Sequence, residues 1–379
     1  MKIAYLLGSL NRGGTETLLL DVFRNAANAD YQMIGIYRHG GAYLDDFRKS
    51  DVPFIECGVK QKRFISYLLQ LRKILKNNQV SVAHAQQFID CLYARFATIG
   101  TNIKIVETFH GYDFDSSFSS RLLIFLSMLL ADRVCFVSKA EKQYYLKRYH
   151  LFDSKKYQVV YNGLDFSKFD YDFPEPDIFT KIDSAKPRIE ELLPRLRMAM
   201  VGNFVSGRSQ SIVCRAIDIL AQRGVTDFDF YFVGRRNEKE PWRYDDCVNY
   251  CQDHGLEHVH FVGGRGDVPA ILRHIDAFVY SSDHDTFGIA VVEALACGIP
   301  VFVNDLDVMC ELYTCVGRGN TRSQYKSKSA ESLADVLTDY LNNQQEYAES
   351  AKQDAVKIRN RFSIQSHTKR LHEIYKTLS

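Results

Sequence analysis

Short apolar runs alternate with amphipathic stretches along almost the whole chain. In the first half the runs are Ile3–Leu7, Gln32–Tyr37, Val80–His84, Lys104–Phe109, Arg133–Val137 and Gln158–Tyr161. In the second half they are Met198–Gly202, Asp229–Val233, His258–Val262, Ala277–Tyr280 and Val301–Asn304. Runs this short, bounded by glycine or polar residues, read as strands, and the longer stretches between them read as helices. Such alternation predicts parallel sheets covered by helices on both faces. Eleven strands exceed one ordinary open sheet. The expected class is therefore α/β, with two Rossmann-like, doubly wound parallel-sheet domains.

Four of the eight prolines, Pro174, Pro176, Pro187 and Pro194, fall in one charged, aperiodic segment. This segment, 169–196, reads as an irregular connection between a first domain, 1–168, and a second, 197–361. A last helix is expected from Ile364 to Leu378, with Ser363 as its N-cap.

Composition narrows the class. Apolar residues make up 46% and charged residues 25% of the 379, as in ordinary globular proteins. A net charge of +2 gives no footprint for nucleic acid. Nine cysteines without zinc-type spacing suggest reduced thiols and a cytosolic setting. The chain opens on a strand-like run, so no signal peptide is expected. The longest apolar run, Leu122 to Ala131, is about half of what a membrane span requires.

The most restrictive phrase runs from Ser281 to Pro300. A strand ends in a polar loop, and an aromatic-glycine pair then opens a helix. Backbone N–H groups around Phe287, Gly288 and Ile289 favour an anion there. Asp285 precedes that end and Glu293 follows eight residues later, about 12 Å along the axis if all of it is helical. Two carboxylates then bracket a phosphate site, each free to hold sugar hydroxyls. That describes a site for a sugar nucleotide. The alternative is an ordinary N-cap Asp and an exposed Glu. The helix is otherwise small and apolar, so a carboxylate in it needs a partner.

Other strand ends carry candidates. Gly13 and Gly14 close the first strand-to-helix turn, where glycines let backbone approach a phosphate. This turn is neither a Walker A loop nor G-x-G-x-x-G, and a purely structural turn is its alternative. His110 ends another strand, where open α/β sheets place ligands. A lone histidine is more often structural or solvated. The loop Gly202 to Gln210 offers Asn203 and Arg208. A guanidinium there suits a diphosphate, and a solvated Arg is the alternative. Gly234, Gly264 and Val268 mark two further loops of the kind that grip bases and riboses. Lys60 to Asn78 reads as a basic amphipathic helix with Phe64, Leu68, Leu71 and Leu75 on one face. It suits an anionic membrane surface, or a domain helix with a solvated basic face.

Together these residues resemble the family-4 type of retaining, nucleotide-sugar-dependent glycosyltransferases (glycosyl transferases group 1). The likeness runs along most of the chain. It rests on Gly13-Gly14-Thr15-Glu16, His110, Val137-Ser138-Lys139, Tyr161-Asn162-Gly163-Leu164-Asp165, the Gly202–Arg208 loop and the Phe287–Pro300 phrase. The resemblance implies the GT-B fold, with two Rossmann-like domains facing a central cleft. The first would be the acceptor side, joined by a returning helix, 362–379, and 197–361 would bind the nucleotide sugar.

The resemblance also implies roles. His110, Arg208 and Asp285 form the expected catalytic set. Gly13, Gly14, Asn203, Arg208, Gly234, Gly264, Val268, Asp285, Phe287, Gly288, Ile289 and Glu293 form the expected donor-binding set. Asp285 would touch donor-sugar hydroxyls, Glu293 the ribose, and Phe287, Gly288 and Ile289 the diphosphate. The family usually has Glu, Arg and Lys where this chain has Asp285, Asn203 and Arg208. With one cation fewer, Arg208 carries the leaving group alone or with another residue such as Arg12.

The implied activity is hexosyl transfer to a glycan or lipid-linked glycan in cell-surface polysaccharide assembly. It would use no metal and no cofactor, with a UDP- or GDP-sugar as substrate. The expected location is cytoplasmic, peripheral on the inner face of the cell membrane. Two other readings stand beside it: a catalytically weak sugar-nucleotide-binding subunit, and a nucleotide-sugar 2-epimerase of the same architecture. A dehydrogenase is disfavoured by the missing dinucleotide fingerprint.

Overall fold

The computed structural model describes residues 1–11, 13–58, 64–114, 116–179, 195–317 and 322–378. Arg12, Lys60, Lys62, Arg63, Pro187 and Pro194 lie outside the described residues, as does most of the expected connection 169–196. The chain divides into two compact units, Met1–Asp165 with Phe362–Ser379, and Phe166–Arg361.

Unit 1 holds a seven-stranded sheet, ordered β3-β2-β1-β4-β5-β6-β7. The strands are β1 (Lys2–Ser9), β2 (Gln32–His39), β3 (Phe54–Glu56), β4 (Val82–Ala85), β5 (Lys104–Phe109), β6 (Arg133–Phe136) and β7 (Tyr157–Val159). Every pairing is parallel. The helices are α1 (Gly14–Arg24), α2 (Leu44–Arg48), α3 (Phe64–Asn77), α4 (Phe88–Ala97), α5 (Phe118–Leu130) and α6 (Lys139–Arg148).

Alternate residues of β1 feed two apolar layers, which explains why the strand reads as one continuous apolar run. Ala4 and Leu6 join a layer with Tyr67, Leu71 and Leu75 of α3, Ala94 of α4, Ile124 and Met128 of α5 and Tyr145 of α6. Ile3, Tyr5 and Leu7 join the other, with Leu18 and Leu19 of α1 and Phe47 of α2. Leu371, Ile374 and Tyr375 of the last helix complete that second layer. Leu71 and Leu75 are fully buried. Of the apolar face of α3 read from the sequence, Leu71 and Leu75 are inner and Leu68 packs against the same layer, whereas Phe64 stays exposed.

Unit 2 holds a six-stranded sheet, ordered β10-β9-β8-β11-β12-β13. Its strands are β8 (Leu196–Val201), β9 (Phe228–Val233), β10 (Val259–Gly263), β11 (Ala277–Tyr280), β12 (Val301–Asn304) and β13 (Gln324–Tyr325). The helices are α7 (Gln210–Gln222), α8 (Trp242–Asp253), α9 (Val268–Arg273), α10 (Ile289–Ala296), α11 (Asp307–Cys315), α12 (Ala330–Asn342) and α13 (Gln344–Phe362). The final helix, α14 (Ile364–Lys376), starts at Ser363, whose side chain accepts from Ser366 N at 3.2 Å. Two strands absent from the sequence reading, β3 and β13, lie at sheet edges.

Two buried polar groups in unit 1 couple its stability to pH. His84 is held between the Tyr375 hydroxyl at 2.6 Å and Thr108 Oγ1 at 2.7 Å, and burial drives its pKa well below the ordinary imidazole value. Glu107 accepts from Ser127 Oγ at 2.9 Å, and burial pushes its carboxyl from 4.5 up to about 8. The folded chain keeps that proton over a range in which the unfolded chain has lost it. Glu107 therefore costs stability as pH rises from 4.5 towards about 8. His84 acts in the opposite sense, costing stability as pH falls below the ordinary imidazole value. Glu107→Gln is expected to raise Tm by about 2–4 °C near pH 7.5 and to leave it unchanged near pH 4, followed by thermal melts. An equal shift at both pH values would contradict this titration.

Candidate active site

The site in unit 2 forms where the direction of strand addition reverses, between β8 and β11. Open α/β sheets place ligands beyond the strand ends at such a point. The loops after these two strands are tied together. Ser209 N donates to Ser281 O at 3.1 Å, Asp283 N to Gly207 O at 2.8 Å, and Ser209 Oγ to Asp283 Oδ1 at 2.9 Å. Arg208 and Ser282 pair as an isolated antiparallel bridge.

Asp285 is the hub. Its Oδ2 accepts from Arg208 Nη1 at 2.9 Å and from the Tyr280 hydroxyl at 2.5 Å. Its Oδ1 accepts from the amides of Phe287 at 3.2 Å and Gly288 at 3.1 Å. The Arg208 and Asp285 side chains are 27% and 12% exposed, so the pair is mostly shielded from solvent screening. Burial alone would lower the Arg208 pKa; Tyr280 and the Asp285 carboxylate outweigh it and raise it. The guanidinium also lies over the Tyr280 ring, 5.0 Å from its centroid.

Two expectations need correction here. The helix starts only at Ile289, because Gly288 takes a left-handed φ of 80° as its N-cap. Asp285 precedes the helix, as expected, but the stretch to Glu293 is not helical throughout, so the spacing of about 12 Å along one axis does not apply. The Phe287 and Gly288 amides are also not open donors: Asp285 itself engages them. Glu293 sits on α10 and pairs with Lys168, with Oε1 3.2 Å from Nζ. A small apolar helix could not keep that carboxylate without such a partner.

The remaining positions in unit 2 follow the C-terminal ends of β8, β9 and β10. Asn203 Oδ1 accepts from Arg235 N at 2.9 Å, so it ties two strand ends together. A side chain at Gly234 would run into the carbonyl of Gly202, so these strand ends touch backbone to backbone. Gly264 lies against the Arg235 side chain, and Val268 is the first residue of α9.

In unit 1 a cavity of about 420 Å³ opens at the strand ends flanking the β1–β4 switch point. Gly8 and Ser9, Thr15 and Glu16, Gln86 and Gln87, and His110 line it. Gly13 is the N-cap of α1 and Gly14 its first residue, just before the lining pair Thr15 and Glu16. His110 Nε2 lies 2.8 Å from Gln86 Oε1, an acceptor, so Nε2 carries the proton. Burial, and then His367, lower the His110 pKa to about 3, so the ring is neutral near pH 7. Burial also raises the Glu16 pKa.

Two family models match the chain. Residues 12–168 match Glycosyltransferase Family 4, and residues 183–357 match Glycosyl transferases group 1. The chain belongs to this glycosyltransferase family. The glycosyltransferase is 24% identical to a UDP-Gal:alpha-D-GlcNAc-diphosphoundecaprenol alpha-1,3-galactosyltransferase of Escherichia coli, over 81% of this chain and 80% of that protein. It is 23% identical to an N,N'-diacetylbacillosaminyl-diphospho-undecaprenol alpha-1,3-N-acetylgalactosaminyltransferase of Campylobacter jejuni, over 81% of each. Its fold resembles the crystal structure of Anabaena Alr3699/HepE in complex with UDP, with a TM-score of 0.82, 17% identity and full coverage of both chains. The two parallel-sheet domains are those of the GT-B class.

The glycosyltransferase also uses residues that the sequence did not single out. Tyr280 and Ser282 brace Asp285 and Arg208, with Arg208 Nη1 donating to Ser282 Oγ at 2.9 Å. Gln86 is buried, spends Oε1 on His110 and leaves Nε2 without a partner among the described residues. Only burial marks these residues, and burial of a single polar side chain is not legible in sequence. Removing Asp285 would strip Arg208 of its ion-pair partner and two amides of their acceptor. Asp285→Ala is expected to lower the free energy of unfolding by about 2–4 kcal/mol, measured by denaturant titration. A loss below about 0.5 kcal/mol would contradict the hub.

Proposed function

We propose that this glycosyltransferase moves a hexosyl unit, with retention, from a UDP- or GDP-sugar to a lipid-linked glycan in cell-surface polysaccharide assembly. The observation that carries the reading is the Asp285 hub. A guanidinium and two backbone amides just ahead of α10 converge on one anionic group, and a diphosphate has the same needs. Asp285 holds the place of the phosphate until donor arrives. The diphosphate then takes the amides and Arg208, and Asp285 turns to donor-sugar hydroxyls. Glu293 holds the ribose. The printed names of the relatives support the donor and acceptor classes: one is a UDP-galactose enzyme, and two act on diphosphoundecaprenol-linked sugars.

Departure of the nucleoside diphosphate builds negative charge, which Arg208 and the amides stabilise. The acceptor hydroxyl attacks the same face of the sugar, and the departing phosphate takes its proton. No carboxylate nucleophile is needed. His110, held neutral by burial, orients substrate through hydrogen bonds rather than charge. Arg208 is the cation at the leaving group, so EDTA is expected to leave turnover unchanged.

One observation favours the weaker binding-subunit reading: Asp285 and Asn203 both spend their side chains on internal contacts. Turnover of a nucleotide sugar, even as slow hydrolysis, would count against that reading.

A thermal-shift screen with UDP, GDP, ADP, CMP and their sugar conjugates tests the donor class. A rise with one base, unchanged by EDTA, is expected; no shift with any nucleotide would sink the reading. Arg208→Ala is expected to lower kcat far more than it raises donor KM, because the charge develops in the transition state. A pure KM effect would assign Arg208 to ground-state binding only. Glu293→Ala is expected to weaken donor binding by about 1–3 kcal/mol, measured calorimetrically. Unchanged affinity with an intact fold would remove Glu293 from the ribose.

A further inference from the structure

The helix that carries Glu293, α10, is tied to a short 3-10 turn, Phe166–Phe169, the first element of unit 2. Phe166 and Phe169 are buried and anchor that turn. It packs against α9, which opens at Val268. Asp170, just after the turn, accepts from Arg359 Nη1 at 2.5 Å, and the same guanidinium donates through Nε to Ala296 O at 2.8 Å. Ala296 is the last residue of α10, and Glu293 lies three positions before it, on the adjacent turn of the helix. Arg359 thus holds the chain after Phe169 to the end of the helix that presents Glu293.

Within that frame Lys168 meets Glu293, with Nζ 3.2 Å from Oε1, and the two side chains are 31% and 15% exposed. Holding a lysine stem in one place costs rotamer entropy. Here the stem springs from a turn anchored by buried rings, and Nζ stands over the Phe169 ring, 5.3 Å from its centroid. The ammonium does two things for the carboxylate. It offsets a negative charge that would repel an incoming diphosphate. It also tethers one oxygen, which restricts rotation of the carboxylate about its own axis.

We propose that Lys168 is a positioning residue for Glu293: it fixes the carboxylate to take the vicinal hydroxyls of a ribose, and so sets the preference for ribonucleotide over deoxyribonucleotide. A carboxylate held in one plane accepts from two neighbouring hydroxyls at once, and hydrogen bonds to a charged group are the strong ones. A nucleotide that lacks one of those hydroxyls leaves an acceptor unpaired, which a site built for the hydroxyl penalises. The proposal rests on the assignment of Glu293 to the ribose and adds the residue that gives that contact its selectivity. Lys168 acts through Glu293 rather than on the donor itself.

The test is calorimetric binding of UDP or GDP, whichever the chain binds, beside its 2′-deoxy form. It is run on the full chain and on Lys168→Met, Lys168→Gln and Lys168→Arg. The ratio of the two affinities is taken within each protein, so a variant that is only less stable keeps its ratio. The unmodified chain is expected to prefer the ribonucleotide by at least about tenfold. Lys168→Met and Lys168→Gln are expected to lower that preference to about threefold or less, and Lys168→Arg to restore most of it. An unchanged ratio in Lys168→Met and Lys168→Gln would overturn the proposal and leave Glu293 on the ribose. Tighter nucleotide binding by Lys168→Met would also overturn it, because Lys168 would then be blocking the site. No preference in the unmodified chain, or no binding of either nucleotide, would sink the ribose assignment itself and this proposal with it.

Discussion

A single carboxylate with four donors organises the strand ends of unit 2. Asp285 accepts from Arg208, Tyr280 and the amides of Phe287 and Gly288. Removing a carboxylate from water costs several kcal/mol unless hydrogen bonds replace the lost hydration, and these four replace it. In return the carboxylate holds the loop after β8 against the loop after β11 and fixes where α10 begins. The same donors would suit a diphosphate. The groups that hold Asp285 are thus those a donor would use.

The sheets explain why the sites lie where they do. In each unit the chain reverses its direction of strand addition once, next to the first strand, and leaves a gap beyond the strand ends that no crossover fills. In unit 2 the gap holds Arg208 and Asp285. In unit 1 it opens the cavity lined by Gly8, Gln86 and His110. The two gaps differ in chemistry. One presents a cation, a carboxylate and the backbone amides just ahead of α10, whereas the other presents a neutral imidazole and an amide donor with no partner among the described residues.

Much of this was legible in the sequence, for a physical reason. Parallel strands buried on both faces need continuous apolar runs, and each of the eleven runs became a strand. β3 and β13 escaped notice because edge strands of three and two residues need no such run. Asp285, Glu293 and Arg208 stood out as charges at strand and helix ends. Their partners did not, because Lys168 is far from Glu293 in sequence and Tyr280 looks like any strand residue. The left-handed turn at Gly288 also moved the helix start from the Phe287–Gly288 pair to Ile289. Periodicity found the apolar stripe of α3 but could not say which side met the sheet. For α5, the composition of the run hid that half of it faces water.

The most direct test of the account is a crystal structure of the protein with an intact UDP- or GDP-sugar, whichever binds. The account predicts diphosphate oxygens on the amides of Phe287 and Gly288 and on Arg208, with Asp285 released from those amides and turned to the sugar. A nucleotide bound elsewhere, with all four donors still on Asp285, would contradict it.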